Sequence, residues 1–224
     1  MIKAIYFDLF FTLIVPTYRE ANNEFDILDL SVNEWENYAE SDVLYQERAL
    51  GLVKSEREII DKIVSTIPFD ISDIQKEKVL LARENRMKAA LQNVSMDIID
   101  VLKKLKDNDI KLGLISNADV IDCKYWNQSQ LSPIFDDVIF SCNVGMLKPD
   151  RKIYELAMQH LNVLPFECLF VGDGGSNELC GAKSVGMKTV FTEALDVKTD
   201  EKRIRIMEHA DYCVKYFREI LNCI

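Results

Sequence analysis

Basic side chains are in deficit: 27 Lys and Arg stand against 37 Asp and Glu in 224 residues, a formal charge of −10. No Lys/Arg cluster offers the positive footprint that a phosphate backbone requires, so no nucleic-acid partner is expected. Long apolar runs are missing as well. None reaches 18 residues, which excludes a membrane-spanning helix. Histidine is nearly absent, and the two present, His160 and His209, lie in helical patterns with no setting for a base or ligand. The six cysteines include no C-x-x-C and have no histidine at a zinc spacing, so they read as buried thiols of a reducing compartment. MIKAIYFDLF turns polar too early for a signal peptide, and a cytoplasmic location is the expectation. No internal repeat or low-complexity tract interrupts the chain.

What the sequence does contain is a set of short, continuous apolar runs. IKAIYFD (2–8), KLGLISN (111–117), DVIFSC (137–142), CLFVGD (168–173) and MKTVFT (187–192) read as strands covered on both faces. Helical patterns separate them, including MDIIDVLKKLKDN, with Ile98, Val101, Leu102 and Leu105 on one face. In RKIYELAMQHL the shared face is Ile153, Leu156, Ala157 and Leu161. The alternation predicts an α/β fold: a doubly wound, mostly parallel Rossmann-like sheet. Residues 15–90 differ. They show helical patterns such as EREIIDKIVSTI and no convincing strand, and residues 15–84 hold 16 acidic against 8 basic side chains. A helical cap domain spanning 15–90, inserted into a core made of 1–14 and 91–224, is the economical reading.

Ligands of open α/β sheets bind at the carboxyl ends of the strands. Four polar groups fall there: Asp8 with Thr12, Ser116 with Asn117, Lys148 in GMLKPD, and Asp173 at the head of GDGGSNE. Each is ordinary alone, since an aspartate after a strand is a common turn former and a Ser-Asn pair a common strand end. Their convergence on one crevice is what carries weight. Asp8 and Asp173 on neighbouring strand ends would repel one another unless a cation such as Mg²⁺ lay between them, with Glu178 supporting its water shell. Ser116 and Asn117 offer donors to a phosphoryl oxygen, and Lys148 a point charge that also keeps Asp8 ionised.

In these segments the chain resembles the haloacid dehalogenase-like hydrolases, a superfamily dominated by phosphatases. FDLFFTL (7–13), ISN (115–117), LKPD (147–150) and VGDGGSNELCGAKSVGM (171–187) look like its four motifs, and the helical insertion is similar to its small helical caps. The resemblance implies that Asp8 is a nucleophile forming an aspartyl intermediate, with Thr12, Ser116 and Asn117 at the phosphoryl oxygens and Lys148 steadying the intermediate. It implies Mg²⁺ held by Asp8, the carbonyl of Phe10, Asp173 and Glu178, and a small phosphorylated molecule as substrate. The chain departs from the family at Phe10, where phosphatases carry a second aspartate that protonates the leaving group, and at Phe11, commonly glycine. Loss of such an acid costs roughly 10²–10⁴ in rate for poor leaving groups, so acyl and aryl phosphates are the expected substrates. Two alternatives stay open. Haloacid dehalogenases also have an aromatic residue at the position of Phe10, although they have serine where this chain has Asp173, and a catalytically impaired binding or regulatory module would tolerate both phenylalanines. Trp35, Tyr38 and Tyr45 are expected in the cap core, and Arg48 and Lys54 in solvent. Both monomer and homodimer fit the sequence.

Overall fold

The computed structural model describes residues 1–224. The five apolar runs form β1 (Ala4–Phe7), β2 (Lys111–Ser116), β3 (Asp137–Phe140), β4 (Cys168–Gly172) and β5 (Lys188–Thr192). A further strand, β6 (Tyr212–Val214), is not among those expected, because three residues at a sheet edge leave no run to detect. All pairings are parallel, and the sheet order is β3-β2-β1-β4-β5-β6.

Eleven α-helices and four short 3-10 turns complete the fold, the α-helices being α1 (Glu24–Leu28), α2 (Val32–Ala39), α3 (Asp42–Ala49), α4 (Glu56–Val64), α5 (Asp73–Gln92), α6 (Met96–Asp107), α7 (Val120–Cys123), α8 (Ser141–Val144), α9 (Arg151–Leu161), α10 (Glu178–Ser184) and α11 (Asp200–Met207). The twofold alternation of strand side chains sorts the core into two layers. Ile5, Phe7, Leu112, Leu114, Leu169 and Val171 face α6, which buries Ile98, Val101, Leu102 and Leu105 as expected. Ala4, Tyr6, Cys168 and Phe170 face α9 and α10 on the other side. Here the helix presents a slightly rotated stripe: Ile153, Tyr154, Ala157, Met158 and Leu161 are buried, whereas Leu156 is only partly covered. Gly113 sits under the Tyr6 ring, where a Cβ would lie 2.4 Å from Cδ1. At about 1.5–3 kcal/mol for each fully buried aliphatic or aromatic side chain, these two layers fix the strand register.

Helices α1–α5 lie between β1 and β2 and contain no strand. They pack around their own cluster of Trp35, Ile59, Ile60, Ile63 and Val79, which Ile121 of α7 joins from the sheet-bearing part. Ser31 with Glu34 and Ser72 with Gln75 form reciprocal capping boxes that start α2 and α5. Trp35 is core, as expected, and Tyr38 packs against the same cluster, whereas Tyr45 is a correction: it stands outside that cluster and lines the cavity instead. Arg48 is a correction: its side chain is buried, not solvated, because Asp119 and the carbonyl of Ala39 receive it inside. No helix is long and apolar enough to cross a membrane.

Candidate active site

The sheet order reverses direction at β1 and β4, so their following loops diverge and leave a crevice. Asp8 closes β1, its N–H continuing the ladder to the Val171 carbonyl at 2.9 Å, and Asp173 closes β4 beside it. The loop after Asp8 is shaped by backbone bonds from Leu13 and Ile14 N–H to the Leu9 carbonyl (2.9 and 3.1 Å) and from Phe11 N–H to the Ile14 carbonyl (2.7 Å). Phe11 pays for this turn with a left-handed backbone, φ 59°, a conformation that costs a residue with a Cβ about 1–2 kcal/mol.

The sequence-derived residues come together here. Lys148 donates to Asp8 Oδ1 and, at 2.5 Å, to Glu178 Oε2, and all three side chains are buried. Thr12 Oγ1 points at Asp8 Oδ2 at 3.4 Å. Asn117 locks the Lys148 backbone from both sides: its Oδ1 accepts the Lys148 N–H at 2.8 Å, and its Nδ2 donates to the Lys148 carbonyl at 3.1 Å. Ser116 Oγ is buried without any hydrogen-bond partner. Burying a hydroxyl unpaired costs about 1–3 kcal/mol, so Ser116 Oγ stands at the end of a central strand with its hydrogen-bonding capacity unspent.

The fourth segment is fastened by side chains. Asp173 Oδ1 accepts the Gly175 N–H at 3.0 Å, and Glu178 Oε1 accepts the Gly174 N–H at 3.1 Å. Gly174, Ser176 and Asn177 all have left-handed φ, and a Cβ on Gly172 would come within 2.0 Å of Glu178 Oε1. Tyr154 anchors the start of α10 by donating to the Glu178 carbonyl at 2.8 Å.

The carboxylates of Asp8, Asp173 and Glu178 lie within 4.8 Å of one another. Burial pushes the Asp8 carboxyl up, with Asp173 adding to it and Lys148 opposing. Burial and the nearby Asp8 push Glu178 up to about 8. Burial would lower Lys148, but Asp8 and Glu178 outweigh it and raise it. The three carboxyls share the ammonium groups of Lys148 and Lys198, and the upward shifts of Asp8 and Glu178 mark buried groups that a further cation would hold ionised. This donor set, hard oxygens from three buried carboxylates, fits a divalent cation such as Mg²⁺.

A cavity of about 460 Å³ opens from this cluster toward the insertion, walled by Phe10, Phe11, Tyr18, Tyr45 and Met87. Several of its polar residues carry no mark in the sequence. Arg48 of α3 and Arg83 of α5 meet Asp119 at 3.2 and 3.1 Å, and Arg83 also meets Asp122 at 3.1 Å, so a buried ion cluster joins insertion to core. Asp119 additionally caps α7 through the N–H groups of Ile121 and Asp122. The D-x-x-D spacing after ISN is the signal that could have found this cap; nothing local marks its arginine partners. Lys198, from the segment after β5, donates to Asp173 and Asp196.

Sheet, insertion and acidic centre together define a doubly wound core with a buried carboxylate cluster at the switch point. The chain belongs to the haloacid dehalogenase-like hydrolase family, whose model it matches over residues 2–186. It is 32% identical over 126 residues to the glyceraldehyde 3-phosphate phosphatase of Pyrococcus furiosus, a match covering 55% of this chain and 51% of that one. The chain spans about half the length of the curated relatives it matches, 51% and 60% for two of them. Among solved structures, a HAD family enzyme from Bacteroides thetaiotaomicron in complex with magnesium and inorganic phosphate aligns with a TM-score of 0.68 at 19% identity, covering 90% of this chain and 98% of that one. A 2-haloacid dehalogenase from Pseudomonas syringae aligns at 0.66 and 20% identity, covering 99% and 97%. At these identities the two structures establish the fold they share with this chain.

Proposed function

We propose that this protein is a Mg²⁺-dependent phosphohydrolase of a small phosphorylated metabolite, working through an aspartyl-phosphate on Asp8. The observation that carries this reading is the packing of Asp8, Asp173 and Glu178 within 4.8 Å beside a buried Lys148. Asp8, the Phe10 carbonyl and Asp173 would hold the metal, with Glu178 in support; bound there, it would supply positive charge to the nucleophile and to the phosphoryl oxygens. Residues 15–90 act as the cap over a core of 1–14 and 91–224. The P. furiosus relative named for glyceraldehyde 3-phosphate supports a small phosphate ester as the substrate class.

Lys148 opposes the upward push of burial on Asp8 and occupies Oδ1, so Oδ2, with only the long Thr12 contact, is the oxygen that attacks phosphorus. A bond forms from Oδ2 to phosphorus as the bond to the leaving oxygen breaks, and its electron pair departs with that oxygen. Ser116 Oγ, Thr12 and the Asn117-fixed Lys148 receive the non-bridging oxygens, a role that their fixed positions make effective without reorganisation. Water then hydrolyses the aspartyl-phosphate.

Phosphate release from nitrophenyl phosphate, with and without Mg²⁺, tests the reading in wild type and Asp8→Asn. Mg²⁺-dependent release that falls by more than about 10³-fold in the variant is expected. The haloacid alternative draws on Phe10, which lines the cavity as an apolar group. Chloride release from 2-chloropropionate without metal would replace the phosphatase reading with that one.

A further inference from the structure

Phe10 and Phe11 leave the nucleophile loop without a polar side chain to meet the oxygen departing from phosphorus. Four of the cations lining the cavity are committed to buried or structural partners: Lys148 to Asp8 and Glu178, Arg48 to Glu40 and Asp119, Arg83 to Asp119 and Asp122, and Arg86 to Glu24. Lys198 differs. It stands on the segment between β5 and α11, its side chain is 14% exposed, and its ammonium divides between Asp173 and Asp196, the latter at 2.5 Å. It lies 5.8 Å from the centroid of the Phe11 ring, within cation–π range. Asp173 is the partner that a divalent cation would claim in the site proposed above, whereas Asp196, 40% exposed, is a tether outside the metal set.

We propose that Lys198 is a catalytic residue that stabilises the leaving-group oxygen, in place of the acid that Phe10 cannot supply. This rests on the phosphohydrolase reading. With Asp173 engaged as a metal ligand, the Lys198 ammonium would be free of that carboxylate and would meet the departing oxygen, while Asp196 and the Phe11 ring keep it at the cavity wall. As the bond from Asp8 to phosphorus forms, the electron pair of the breaking phosphorus–oxygen bond settles on the leaving oxygen. The ammonium donates a hydrogen bond to that oxygen, and water supplies the proton that converts it to the alcohol. Lys198 thereby brings alkyl phosphates within reach of a site whose first loop alone would favour only good leaving groups.

The test uses the full chain with Mg²⁺ and two substrates, nitrophenyl phosphate and glycerol phosphate, in wild type, Lys198→Met and Lys198→Arg, each checked for native melting behaviour. Lys198→Met is expected to lose about 10²-fold in kcat on the alkyl ester and less than about threefold on the aryl ester. Lys198→Arg, which keeps the charge, is expected to retain most of the alkyl activity and serves alone if the Met variant fails to fold. Calorimetry in the absence of substrate gives a second readout: freeing Asp173 of its ammonium should tighten Mg²⁺ binding about fivefold in Lys198→Met. Equal losses on both esters, or unchanged or weaker Mg²⁺ binding, would overturn the proposal. If Asp8→Asn abolishes release while Lys198→Met affects both esters alike, only the role of Lys198 fails; if Asp8→Asn leaves release intact, the phosphohydrolase reading fails first.

Discussion

The two loops that meet at the crevice are held by opposite means. The one after β1 is oily: Leu9, Leu13 and Ile14 are buried in the core, and only Asp8 and Thr12 carry polar side chains among residues 8–14. The one after β4 has almost no apolar content and is fixed by carboxylates bonding its own N–H groups, with left-handed backbone at Gly174, Ser176 and Asn177. The first loop can therefore change side chains and keep its path, because packing beneath it sets the shape. In the second, backbone and ligand positions are one network, and a change in either moves both. Phe10 and Phe11 sit in the tolerant loop, which explains how the chain accommodates them while keeping Asp8 in place.

Lys148 is the buried cation that joins a carboxylate of the first loop to Glu178 beyond the second, so its removal should have the largest effect. Lys148→Met leaves Asp8 and Glu178 buried without their shared cation, and a loss of about 3–5 kcal/mol in unfolding free energy is expected by urea titration without metal. A loss below about 1 kcal/mol would show that the loops are joined by something else. Gly172→Ala tests the polar loop: the new methyl would fall on Glu178 Oε1, displacing that carboxylate from the Gly174 N–H. About 1–3 kcal/mol of stability should be lost, together with tight Mg²⁺ binding measured by calorimetry. Phe11→Gly tests the oily loop, and its effect should be the smallest. The substitution relieves the left-handed φ but frees the unfolded chain, and the ring it removes is 41% exposed. Unfolding free energy should shift by less than about 1 kcal/mol; a drop above about 3 would mean the ring itself holds the loop.

Much of this contrast is legible in the amino-acid sequence. Continuous apolar runs locate five strands because a sheet covered on both faces leaves few other patterns, and the four motif segments fall at the ends of those strands or in the loops after them. Where the sequence misleads, the cause is tertiary. Arg48 looks like a solvated helix residue and is buried because Asp119, far along the chain, waits inside. Leu156 yields its buried position to Tyr154 and Met158 because the direction in which α9 presents its side chains depends on the sheet beneath. Lys198 lies in a polar segment with no periodicity at all, and only the folded path of residues 193–199 delivers it to Asp173.

The buried cluster of Arg48 and Arg83 with Asp119 and Asp122 bears on how the insertion is joined to the core. Two of its charges belong to the insertion and two to the core, so parting the units hands all four to water. Ions are repaid by hydration in a way that an oily seam is not. Because these side chains are buried, added salt screens them far less than surface pairs, so the join between insertion and core should hold at ionic strengths that dissolve exposed ion pairs.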